Sequence, residues 1–360
     1  MNSIYEIENK YRIIFDMLFD ANELHEIAEI DIINIFNGNL ENININNSNI
    51  LFLVGYYYEF NKKYDDMIKW YLMAIDLNHS KSMYYLGYYY YKNKDYEKMK
   101  KYYFLASQHN NSEAMHDLGI YYGYIECDYD EMEKWYLMAV KHKNEHSMHN
   151  LGNYHRSLEK YDDMIKYYEM ASNYKFSESM YSLGVYYQNI CDYENMKKWF
   201  LMAIDLNHEK AMNNLAIYYE LIECNYDLMK QYHLLAIENN GFNSMYNLGK
   251  YYYDCYCENK NENENSNSNI NININININI NNNDNNDNNN NCENMKKYFL
   301  MYLERGYNID NEKTVLLCNN IIEYFKNLFN DEKIYKLLDE INDKNNFIET
   351  YLNNYENNKK

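Results

Sequence analysis

The sequence predicts an all-α fold, an αα-hairpin superhelical solenoid, and three observations carry that expectation. No proline occurs in 360 residues, a ladder of small residues returns every 32 or 33 positions, and a ladder of methionines keeps the same step. At ~5% usage a chain of this length would hold roughly 18 prolines, so their absence excludes collagen-like, polyproline and proline-punctuated β-rich folds. The apolar fraction of 47% excludes wholesale disorder, because that much apolar surface can fill a core.

The first ladder is Gly55, Gly87, Gly119, Gly152, Gly184, Ala216 and Gly249, and the second is Met67, Met99, Met132, Met164, Met196 and Met229. Within one repeat, Met83, Leu86, Gly87 and Tyr90 fall at i, i+3, i+4 and i+7, one face of a helix. Met99, Tyr103 and Ala106 give the second helix, and the short polar Lys92-Asn93-Lys94-Asp95 between them folds the pair into a hairpin. Asp95, Asp128 and Asp192 each precede a tyrosine and are expected as N-caps of second helices. Gly87 and Ala106 let two backbones approach while methionine and aromatic side chains fill the flanks. Tyr90, Tyr103, Tyr122, Tyr136, Tyr154, Tyr168, Tyr187 and Tyr219 are therefore expected in the core, not in a ligand box.

This pattern resembles the tetratricopeptide and Sel1-like repeat families over residues 50–258. Leu86-Gly87, Tyr90, Tyr103 and Ala106 occupy tetratricopeptide positions, with Met83 and Met99 in place of the usual Trp and first Ala. Met67-x-x-Trp70-Tyr71-x-x-Ala74 and Met132-x-x-Trp135-Tyr136-x-x-Ala139 are similar to the Sel1 signature Ala-x-x-Trp-Tyr-x-x-Ala. The interhelix loop lacks the Sel1 Gly-x-Gly insertion, and no proline closes the second helix as in tetratricopeptide repeats. The Trp-Tyr pairs favour the Sel1 label. The resemblance implies a solenoid whose first helices line a concave, partner-binding surface.

Six hairpins are complete, and the seventh is interrupted after Met245, Leu248-Gly249 and Tyr252. Its second helix is due near position 262, but the matching Met-Lys-Lys-Tyr-Phe block starts at Met295. The Asn/Ile-rich, low-complexity segment 259–291 is thus expected as a disordered loop insertion, and 292–303 as the displaced second helix. Residues 1–49, with helical spacing over Ile4 to Phe19 and Glu23 to Phe36, are expected as a cap or degenerate repeat. Residues 304–360, with three amphipathic stretches, are expected as a second cap or a small helical domain.

A formal charge of −20 argues against nucleic acid and against anionic membrane surfaces. No stretch approaches a membrane span, the amino terminus lacks a basic region followed by an apolar run, and the seven cysteines show no regular pairing. These features predict a soluble, intracellular, cytoplasmic protein. The Asn, Ile, Lys and Tyr bias is associated with AT-rich genomes, large DNA viruses among them.

No catalytic motif is visible, so no enzyme and no cofactor are expected. His142, His146, His149 and His155 lack the convergent spacing of a zinc site, and none is expected to hold metal. Cys127, Cys191 and Cys224 recur before second helices as a repeat feature and are expected to be inert thiols. Function is expected at first-helix positions that the repeat leaves free. These are Tyr84, Tyr88 and Tyr91 in repeat two, and His149, Asn153 and Arg156 with His146 in repeat four. Aromatic beside partly basic residues predicts a groove for a peptide or partner protein, hence a non-catalytic interaction scaffold. The alternative is a structural protein that self-assembles through its terminal helices.

Overall fold

The computed structural model describes residues 34–35, 37–40, 43–265 and 286–306. The expectations for the N-terminal helices up to Ile33, for the Asn-Ile alternation and for the stretches after Glu312 fall outside these residues. The described chain is helical, with no strand, and forms two compact units that divide at Ser179 and Met180. The first unit holds hairpins α1 (Ser48–Phe60) with α2 (Tyr64–Asp76), α3 (Ser80–Lys92) with α4 (Tyr96–Gln108), α5 (Ser112–Tyr121) with α6 (Tyr129–Lys141), and α7 (Glu145–Ser157) with α8 (Tyr161–Ser172). The second unit pairs α9 (Ser177–Asn189) with α10 (Tyr193–Ile204), α11 (Glu209–Leu221) with α12 (Tyr226–Glu238), and α13 (Phe242–Asn265) with α14 (Asn286–Gly306).

Each hairpin is closed where the glycine of its first helix meets a ring of its second. A Cβ on Gly87 would lie 2.5 Å from Cδ1 of Tyr103, and the same holds at Gly55 with Tyr71 (2.4 Å) and at Gly184 with Phe200 (2.3 Å). The rings of Tyr71, Tyr103, Tyr136 and Tyr168 are fully buried. The sixth hairpin tests the rule. There the ladder residue is Ala216, both it and its facing residue are fully buried, and that facing residue is the smaller ring His233. Both nitrogens of His233 lack a hydrogen-bond partner, so the methyl of Ala216 is accommodated by an imidazole that the core leaves unsatisfied. In the second, fourth and sixth hairpins a second ring contact follows three residues after the glycine or alanine: Tyr90 stacks on Tyr102 (5.7 Å, 7°), His155 on Tyr167 (5.2 Å, 4°) and Tyr219 on Tyr232 (5.6 Å, 8°). Of the tyrosines expected in the core, those of first helices are half-buried because only one face of each is covered.

Most consecutive helices are joined by links of three residues, four after α8, α10 and α11, and most links share one geometry. At the end of α3, Lys94 is left-handed (φ 59), its N–H donates to the Tyr91 carbonyl (2.9 Å), and the Asp95 N–H donates to the Tyr90 carbonyl (2.9 Å). This is a Schellman closure. Asp95 then accepts the Lys98 N–H (3.2 Å) and starts α4, so one residue ends a helix and caps the next. Asp128 and Asp192 cap α6 and α10 as the sequence predicts, and His79, Asn111, Asn144 and His208 do the same for first helices. None of the left-handed link residues is glycine; Cys127, Cys191 and Cys224 are three of them.

The steps of 33 mark an extra residue in hairpins three and six. In the third it is absorbed by a π-helical turn, Tyr122–Glu126, and the link closes one residue wider, Asp128 N–H to Tyr122 carbonyl (2.8 Å). The sixth closes likewise, Asn225 N–H to Tyr219 carbonyl (2.8 Å). In both, the widened turn swings a glutamate back. Glu126 accepts the Tyr121 hydroxyl (2.6 Å) and pairs with Lys100 (3.2 Å); Glu223 accepts the Tyr218 hydroxyl (2.7 Å) and pairs with Lys197 (3.0 Å).

The seventh hairpin keeps the register of the others across the long intervening segment. Gly249 faces Phe299 (2.5 Å from a Cβ), and Tyr252 stacks on Tyr298 (5.9 Å, 9°). Its helices run to Asn265 and from Asn286, further than the 259–291 boundaries expected from composition. Neither glycine nor proline, the strongest local breakers of a helix, occurs between Gly249 and Gly306.

Three outcomes test this account. Gly87→Ala should destabilise the chain by ~1–3 kcal/mol through overpacking, whereas Ala216→Gly with His233→Phe should raise the denaturation midpoint above wild type. Glu159→Gly, at a left-handed position (φ 58), should gain about 0.5–1 kcal/mol in the same measurement.

Candidate partner-binding face

The crossing rule has a consequence on the first helices. A tyrosine whose ring fills the core beneath a glycine carries its hydroxyl through to the first-helix face, where it must find a polar partner. Tyr71 donates to Glu59 (2.7 Å), Tyr103 to Asp117 (3.0 Å) and Tyr168 to Asn153 (2.7 Å), while Asn150 donates to Tyr136 (3.3 Å). Burial pushes the Glu59 carboxyl up and the Asp117 carboxyl up to about 6, against the pull of the tyrosine hydroxyls.

The residue after each first-helix methionine reaches toward the next hairpin. His116 Nδ1 lies 2.9 Å from Ser147 Oγ and His149 Nδ1 lies 2.9 Å from Ser179 Oγ, while in the second unit Ser244 donates to Asn213 (2.9 Å). Where this residue is Tyr84 or Tyr181, the facing serine is replaced by Ala114 or Ala211. A small polar ring or amide needs the hydroxyl; the larger ring fills the space itself.

Against this frame the expected site residues separate into two groups. Tyr84, Tyr88 and Tyr91 are half-buried and stack in sequence along α3 (6.5 Å, 26° and 6.5 Å, 27°), with Lys92 Nζ 4.9 Å above the Tyr88 ring. His146 and Arg156 are exposed on α7, with the His146 ring 4.9 Å from Phe176 and 5.8 Å from His116. These five keep accessible surface on the first helices. His149 and Asn153 are committed internally: the first bonds Ser179 and lies on Tyr168 and Phe176 (5.4 and 5.3 Å), and the second accepts the Tyr168 hydroxyl.

Asp117 is the residue that sequence reasoning missed. It stands two after Met115, where other repeats have Tyr85, Asn150, Ser182, Asn214 and Asn247, so its charge in that register was the available signal. It joins the two groups: Tyr103 donates to its carboxyl and Tyr84 lies beside it on the aromatic side, and His146 lies near enough on the other to favour its ionised form.

His142 is exposed at the end of α6, and His155 is buried on Tyr167 with Nε2 3.8 Å from Glu133. Among the described residues no group of three histidines, cysteines or carboxylates is placed to hold a metal ion. Cys127, Cys191 and Cys224 are exposed thiols on the links. No described helix is long and apolar enough to cross a membrane.

No family model and no curated protein matches the sequence. Solved structures do. One is c5321, a protective antigen of uropathogenic Escherichia coli strains with an SLR fold, at 15% identity and a TM-score of 0.53 over 84% of this chain and 71% of that one. Another is a Sel1 repeat protein from Oxalobacter formigenes, at 21% identity and a TM-score of 0.46 over 54% of this chain and 89% of that one. The fold is therefore that of a helical-repeat solenoid. Within that class it is the Sel1-like, tetratricopeptide-related hairpin solenoid, a likeness of fold alone.

The buried histidines make stability pH-dependent. His79, His116, His149 and His233 are lowered from 6.5 to about 4, chiefly by burial. Because the unfolded chain binds their protons more readily, their contribution is complete above about pH 6.5 and is lost as pH falls toward 4, on the order of 1–3 kcal/mol each. Asp117, raised in the folded state, opposes this over part of the same window. Denaturant midpoints measured from pH 7 to 4 should fall. His149→Asn, which copies the native Asn213 arrangement, should flatten the slope.

Proposed function

We propose that the chain is a non-catalytic protein-interaction scaffold that binds an extended segment of a partner protein across the first helices α3, α5 and α7. One observation carries the reading. Tyr88, Tyr91, His146 and Arg156 have side chains that the hairpin packing does not require, yet they sit on one stretch of consecutive first helices and are partly or fully accessible. Stacked tyrosines offer rigid apolar area at small entropic cost, and an exposed arginine reads a carboxylate or a carbonyl. A chain of charge −20 favours a protein partner over a phosphate backbone. The fold's use in protein-protein interaction is consistent with this role.

The residues differ in what their loss should do. Tyr88→Ala and Arg156→Ala should each weaken capture of the native partner while leaving the melting temperature near wild type. Loss of a central tyrosine is expected to cost about 2 kcal/mol, roughly 30-fold in affinity. His149→Ala and Asn153→Ala should lower the melting temperature first, because each removes an internal hydrogen bond. Affinity capture with all four variants, beside thermal melts, separates the groups. Retention of every partner by Tyr88→Ala and Arg156→Ala would refute the proposal.

A further inference from the structure

We infer that Asp117, with the ring faces of Tyr84 and Tyr88, forms a seat for a cationic side chain of the bound partner, an arginine before a lysine. The inference rests on the partner-binding reading above and names the chemistry that this face selects.

Asp117 is half-buried on α5. Its Oδ2 accepts the Tyr103 hydroxyl at 3.0 Å, and the Tyr84 hydroxyl lies close enough to the same carboxyl to feel its charge. Tyr84 stacks on the buried Tyr103 ring at 5.6 Å and 18°, and Tyr88 continues the stack outward. The carboxyl is therefore held in place at the foot of an aromatic wall. A carboxylate offers about four lone-pair positions, and the Tyr103 hydroxyl takes one of them.

What the carboxyl lacks is a lysine or arginine; the exposed His146, on the other side, is the titratable side chain that favours its ionised form. Elsewhere in the first unit, three carboxylates near hairpin ends have lysines: Asp95 with Lys98 (2.9 Å), Glu126 with Lys100 (3.2 Å) and Glu131 with Lys134 (2.8 Å). Among the described residues no lysine or arginine lies within ion-pair distance of Asp117. Its charged neighbour on the same helix is Glu113, which is exposed and adds negative charge to the spot. A negative site walled by tyrosine faces attracts a cation twice, through the carboxylate and through the ring quadrupoles. A guanidinium suits it better than an ammonium, since its plane lies flat on a ring while its edge forks to the carboxylate. A purely structural Asp117 would serve as an acceptor for Tyr103 and nothing more.

The test is a phage-displayed library of random 12-residue peptides selected on the full chain, followed by calorimetry on the strongest synthetic peptide. Enriched sequences should share one arginine or lysine, and replacing an arginine there by citrulline should weaken binding about tenfold or more. On Asp117→Asn, which keeps an acceptor for Tyr103, peptide and citrulline analogue should bind alike; circular dichroism checks that this variant is folded. Peptides that need Tyr88 but share no basic residue, or that lose nothing on Asp117→Asn, would overturn the assignment while leaving the peptide-binding face intact. If no peptide is selected, or if selected peptides bind Tyr88→Ala as tightly as wild type, the partner-binding reading fails and this inference with it.

Discussion

Everything in this structure hangs on how closely two backbones can approach where a glycine faces a ring. With no Cβ on Gly87, Gly119 or Gly152, the tyrosine of the second helix lies directly against the first helix and fills the interior of the hairpin. Ring size and side-chain size are then one variable, as the exchange of Gly and Tyr for Ala216 and His233 shows. The same contact decides the chemistry of the outer surface. A phenol that spans the core must end on a polar atom, and Glu59, Asp117 and Asn153 supply it. Core and first-helix surface are therefore not independent layers, since a buried tyrosine requires a polar residue, acid or amide, where its hydroxyl emerges.

Charge follows from helix ends as much as from any partner. Asp65 and Asp66, Glu97, Asp130 and Glu131, Asp162 and Asp163, and Glu194 occupy the first turns of second helices. There the helix dipole favours an anion, so much of the acidic excess lies where it stabilises secondary structure. Asp117 is different in kind. It sits in mid-helix, is partly buried, and owes its position to a buried tyrosine and not to a helix end.

Much of the architecture was legible because the constraint is periodic. Gly and Met ladders gave the helices, their crossings and the register of the seventh hairpin, and Asp95, Asp128 and Asp192 gave the caps. The left-handed links were not legible, because Lys94, Cys127 and Glu159 are side chains that sequence rules do not assign to positive φ. The link geometry imposes it, with two Schellman hydrogen bonds offsetting the local strain. Within the candidate face, spacing alone could identify which residues point away from the crossing but not which are already engaged. His149 and Asn153 looked as free as Tyr88 because their partners, Ser179 and Tyr168, lie 30 and 15 residues away in sequence. Asp117 escaped notice for the converse reason: it is a single departure inside a register otherwise held by neutral residues.

The three-residue links have a consequence for how this chain can change over evolutionary time. Since Asp95 both ends one helix and begins the next, an inserted residue there would split two duties that a single residue now performs, and adjacent helix ends would fray together. Hairpins three and six show the tolerated limit, one added residue taken up by a wider turn. A long insertion is compatible only with a junction that has given up this shared residue altogether. The asparagine-rich sequence lies between α13 and α14, which among the described hairpins are the two helices separated by a long stretch of chain.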